Sequence, residues 1–149
     1  MPEEIKLTKG QLAAKKAIGT WKMANTLAKA LARRYSKRWQ FVDFLGPNGR
    51  ESSGIVDILA IRKSGKKPVI DGPKKLDLFE IMVVQVKGGS APKPTSDEIT
   101  RLRGVARYYN ANEIVLFQWK KGISIKTGYK VLNTRDEWKA ITGTKLFGN

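Results

Sequence analysis

From Thr8 to Tyr35 the chain is rich in Ala, Leu and Lys, and Leu12, Ile18, Trp21, Leu27 and Leu31 fall near helical spacing. Gly19 interrupts that stretch, so the pattern predicts one or two helices. The period then changes. Gln40 to Leu45 is a short apolar-rich run stopped by Gly46-Pro47-Asn48-Gly49, which reads as a strand and a turn. Ile55 to Ile61 is almost wholly aliphatic and predicts a second strand. A polar connection with Pro and Gly covers Ser64 to Lys75. Leu76 to Lys87 then gives the third and longest strand, ended by Gly88-Gly89. Thr95 with Glu98 fits a capping box, and Ile99, Leu102, Val105, Ala106 and Tyr109 form the apolar stripe of the helix behind it. Glu113 to Trp119 is β-rich, and Ile123 to Val131 reads as one more strand. Thr134 with Glu137 repeats the capping pattern before a short helix around Trp138 and Ile141. The order predicts an α/β fold, a central sheet flanked by helices with a small C-terminal extension, in a single domain over 1–149.

Three polar residues break the aliphatic pattern of the strands: Asp57 in the second, Gln85 and Lys87 at the end of the third. Such groups are costly to bury unless paired or functional. Side chains alternate faces along a strand, so Gln85 and Lys87 point the same way and Glu80 points the other. If the second and third strands pair as a hairpin, Asp57 comes beside Gln85 and Lys87. A carboxylate, an amide oxygen and the Val86 carbonyl then make a workable Mg²⁺ site, with Mn²⁺ as a substitute, and Lys87 is placed to act on an attacking water. The plain alternative is an Asp57–Lys87 salt bridge with Gln85 merely hydrogen-bonded.

The charge widens this picture beyond one pocket. The 149 residues hold 29 Lys+Arg against 13 Asp+Glu, a net charge of +16, spread in pairs such as Lys66-Lys67, Lys74-Lys75 and Lys120-Lys121 rather than in a tail. A folded cationic surface of this kind points to nucleic acid. Arg101, Arg103 and Arg107, mostly off the helix stripe, and Lys120 and Lys121 are the candidate phosphate contacts, and a solvated basic face fits their spacing equally. Trp21, Trp39, Trp119 and Trp138 read as core rather than as stacking platforms. With no His and no Cys, imidazole bases, thiol nucleophiles, disulfides and Cys/His zinc sites are excluded. No apolar run reaches the length of a membrane span and the start lacks a secretory apolar region, so an intracellular, cytoplasmic location without a membrane partner is expected.

The string Gly54-Ile55-Val56-Asp57-Ile58-Leu59-Ala60, followed by Val83-Val84-Gln85-Val86-Lys87-Gly88-Gly89, resembles the PD-(D/E)xK nuclease superfamily, which includes restriction-type endonucleases and archaeal Holliday-junction resolvases. The resemblance covers roughly residues 20–120 in element order and rests on short motifs. It implies a restriction-endonuclease-like α-β-β-β-α-β core and Mg²⁺-dependent hydrolysis of DNA, duplex or branched, of structure-specific, homing or restriction type. Asp57 matches the metal-binding Asp, Gln85 stands at the acidic position and Lys87 matches the catalytic Lys. Val56 replaces the Pro, and Gln85 removes one negative charge from the metal site. Relatives often place a Glu on the first helix, where this chain offers Asn25. Glu51 is a candidate third ligand, with an ordinary turn residue as the alternative. Cutting both strands would call for a homodimer. The rival expectations are a non-catalytic DNA-binding protein on a decayed nuclease fold, and an RNA-binding protein.

Overall fold

The computed structural model describes residues 6–36, 38–44, 54–89, 91–122 and 128–148. The chain runs α1 (Lys9–Tyr35), β1 (Gln40–Asp43), β2 (Ile58–Lys63), β3 (Phe79–Gly88), α2 (Ser96–Tyr108), β4 (Glu113–Trp119), β5 (Tyr129–Leu132), β6 (Trp138–Ala140) and α3 (Gly143–Phe147). The six strands form one mixed sheet in the order β1-β2-β3-β4-β5-β6. Neighbours are antiparallel except β3 and β4, which run parallel, and α2 is the crossover that a parallel pair requires.

Strand parity sorts the core into two layers. Met82, Val84 and Val86 of β3 pack with Ala24, Ala28 and Leu31 of α1 and with Leu146 and Phe147 of α3. Val83 faces the other way and packs with Leu102 and Ala106 of α2, Ile114 and Leu132. Covered on both faces, the centre of β3 is a continuous aliphatic run rather than an alternating one, as its sequence predicts. Glu80 turns to the α1 side, as parity requires, where it accepts from Arg62 Nε at 2.6 Å. The Arg62 guanidinium in turn lies 4.4 Å over the Trp39 ring.

The first helix passes through Gly19 unbroken, and small residues at Ala24 and Ala28 seat its second half against the sheet. β2 and β3 start later than the apolar pattern suggests, so Asp57 precedes β2 rather than lying inside it. The C-terminal segment differs most from expectation. Trp138 lies in a strand, not a helix: the Asn133 side chain accepts from the Arg135 and Glu137 amides and closes a turn between β5 and β6. Thr142, not Thr134, caps the last helix, accepting from the Lys145 amide. This segment is no appendage either. Phe147 meets Phe41 and Tyr129 edge-on at 5.3 Å and 5.2 Å, inside the α1-side core. Tyr109, assigned by spacing to the α2 stripe, is instead the C-cap and 59% exposed. Leu45, the Gly46–Gly49 turn, Glu51 and the first part of the Ile123–Val131 run lie outside the described residues.

Candidate active site

The site forms where β2 begins and β3 ends. Ile58 is opposite Val84, so Asp57 arrives beside the Gln85 position, and its amide donates to the Val84 carbonyl at 2.9 Å. The Asp57 carboxylate is buried and accepts the Val86 amide at 2.8 Å. Gln85 and Lys87, two apart, share the α2 face of the strand. There they meet a group whose place in the sequence signals only helix capping. Glu98 accepts the Thr95 amide through Oε1 at 3.2 Å, and through Oε2 it accepts Gln85 Nε2 at 3.0 Å and Lys87 Nζ at 3.1 Å. Lys87 therefore has its ion pair with Glu98, not with Asp57 as in the plain alternative to a metal site.

Burial pushes the Glu98 carboxyl up, but the Thr95 amide, the Lys87 and Gln85 hydrogen bonds and the Lys87 charge outweigh it, and its pKa lies below the ordinary carboxylate value. Gln85 is 5% exposed and its Oε1 has no hydrogen-bond partner. An orphaned buried acceptor costs about 1–3 kcal/mol; among the described residues Asn25 Oδ1, Trp39 Nε1, Arg62 Nη1 and Trp138 Nε1 are also unpartnered, and Gln85 Oε1 is the one of these on a residue that lines the cleft. Asp57, Gln85, Lys87 and Glu98 all line one open cleft of about 1280 Å³.

The oxygens that could hold a hard cation are the Asp57 and Glu98 carboxylates, each already accepting hydrogen bonds, and the unpartnered Gln85 amide oxygen. Mg²⁺ is commonly held by one or two carboxylates with waters, and the residue types here match that donor set. No group of three or more His, Cys, Asp or Glu suited to a metal occurs among the described residues. Val86 also lines the cleft, while Asn25 is fully buried in α1 and donates to the Trp21 carbonyl at 3.1 Å.

Cations surround this floor. Arg101 of α2, Lys120 and Lys121 beyond β4, and Lys16 of α1 line the cleft. Lys130, which no sequence motif marks, donates to Gln118 Oε1 at 2.6 Å, and Gln118 is the β4 neighbour of Lys87. Desolvation and then repulsion from Lys93 lower the Lys130 pKa. Arg103 is turned elsewhere, holding Asp136 and the Asn133 carbonyl at 2.6 Å each. Arg107 sits nine residues along α2 from Glu98, roughly 14 Å away by helical rise. Gly88, which also lines the cleft, gives room to the first helix: a Cβ there would lie 3.0 Å from the Thr20 carbonyl oxygen. Trp39 is buried and Trp119 and Trp138 pack at the core margins, while Trp21 and Trp119 also line the cleft.

No family model matches the chain, and comparison with curated proteins and with solved structures likewise finds no match. No helix among the described residues is long and apolar enough to cross a membrane.

Proposed function

We propose that the protein is a Mg²⁺-dependent endonuclease that hydrolyses DNA phosphodiesters in the cleft between α1 and α2. The observation that carries this reading is the buried, unpartnered Gln85 Oε1 in a cleft that Asp57, Lys87 and Glu98 also line. Asp57, Gln85 and Glu98 would hold the ion, with Glu98 restoring from the helix the negative charge that Gln85 removes from the strand. Bound there, Mg²⁺ would supply Lewis-acid polarisation of the phosphate and an activated water. Lys87 stands beside these oxygens, where its ammonium offsets charge building on the phosphate oxygens and orients the water. Arg101, Lys120 and Lys121 hold the flanking phosphates. Cleavage of both strands takes two copies of the chain, since the described residues of each bring together one such set of Asp57, Gln85, Lys87 and Glu98.

The element order α-β-β-β-α-β from α1 to β4 supports a restriction-endonuclease-like core and agrees with the residues matched to the PD-(D/E)xK pattern. Nicking of supercoiled plasmid with Mg²⁺ tests the proposal. Wild type is expected to nick, and Asp57→Ala, Lys87→Ala and Glu98→Ala to lose at least about 100-fold in rate. Equal nicking by all four overturns it. A second reading, a DNA-binding protein that does not cut, draws on the Lys87–Glu98 pair, which already neutralises one carboxylate. It predicts the same binding with no metal-dependent nicking.

A further inference from the structure

The end of the sheet opposite the cleft carries an unusual surface. β2 leaves the site at Ile58 and ends at Lys63, roughly 17 Å away by strand rise. The loop that follows reads Lys66-Lys67-Pro68-Val69-Ile70-Asp71-Gly72-Pro73-Lys74-Lys75, a lysine pair and a proline on each side of a four-residue tip. At that tip Val69 is 102% and Ile70 67% exposed. The loop is a built feature: Ser64 donates to the Leu78 carbonyl at 2.7 Å, and Asp77 accepts the Lys74 amide at 2.7 Å. The end of α2 lies at the same end of the sheet, because the Asn112 amide bonds the Ile81 carbonyl. It displays Tyr108, 81% exposed, edge-to-face with Tyr109 at 4.8 Å between ring centres.

Exposed aliphatic and aromatic groups interleaved with cations suit a ligand that offers anionic phosphates and flat apolar faces together. A second copy of the chain is disfavoured, since Lys66, Lys67, Lys74, Lys75 and Arg107 outnumber Asp71, Asp77 and Glu113 here and would face their own kind. We infer that this end is a second nucleic-acid surface, selective for unpaired bases: the lysine pairs hold phosphates while Val69, Ile70 and the tyrosine pair contact bases outside a duplex stack. This rests on the reading that the cationic surface takes nucleic acid, and not on cleavage.

Binding with metal chelated separates the two. Fluorescence anisotropy would compare a blunt duplex with the same duplex carrying a single-stranded extension, for wild type, Val69→Ser/Ile70→Ser and Tyr108→Ala/Tyr109→Ala. These side chains are exposed, so the fold is retained. Wild type is expected to prefer the extension by about ten-fold, the scale of one base stacked on an aromatic ring, and both variants to lose that preference while binding blunt duplex as before. Equal wild-type affinity for the two probes, or variants that keep the preference, overturns the proposal. So does binding to phosphatidylserine vesicles that Val69→Ser/Ile70→Ser abolishes in the absence of any extension preference. A preference for the extension in a protein that never nicks plasmid sinks the nuclease reading and leaves this surface standing.

Discussion

Glu98 joins two roles that the sequence keeps apart, a cap on α2 and a partner for Gln85 and Lys87. Its lowered pKa fixes a pH dependence. A carboxylate easier to ionise when folded adds stability above its ordinary pKa of 4.5, and that increment is lost as pH falls through the lower folded value. Urea titrations of wild type and Glu98→Gln across the acid range should therefore diverge at neutral pH and converge in acid; parallel curves would show that Glu98 is not the group responsible. Tyr129 gives a second residue-level test. Buried in the core, its hydroxyl donates to the Ala28 carbonyl and ties β5 to α1, and burial raises its pKa. Tyr129→Phe should cost about 1–2 kcal/mol in denaturant unfolding, because the carbonyl is left buried without its donor.

At the scale of elements, α1 closes one wall of the cleft and depends on a glycine for its approach to the sheet. A methyl at residue 88 would press on the Thr20 carbonyl and come 3.3 Å from Ala24 Cβ. Gly88→Ala should lower stability by about 1–3 kcal/mol with an unchanged urea m-value. It should also slow nicking, since the helix that carries Lys16 must shift. The α2 cap makes a milder case. Thr95 Oγ1 accepts the Glu98 amide at 3.2 Å, so Thr95→Ala should cost about 1 kcal/mol. Activity should fall less than in Glu98→Ala, because the residue 95 amide still holds the carboxylate. Nicking as weak as that of Glu98→Ala would contradict this division of labour.

For the whole molecule, the sign and spread of the charge were legible in the sequence, and salt reads them out. Lys120→Ala/Lys121→Ala should reduce the slope of log affinity against log salt by about 2 for duplex DNA, and unchanged slopes would remove those lysines from the interface. Periodicity alone determined most elements, the shared face of Gln85 and Lys87 and the exclusion of Glu80, because helix and strand repeats are local properties of the chain. Local signals also misled: Thr134 and Glu137 match a cap, yet the Asn133 side chain closes a turn there and sends Trp138 into the sheet. What the tertiary structure decided was partnership. Gln85 and Glu98 lie thirteen positions apart in the chain, and only the fold of α2 back over β3 makes them neighbours, since no local pattern reports which faces meet across a parallel crossover.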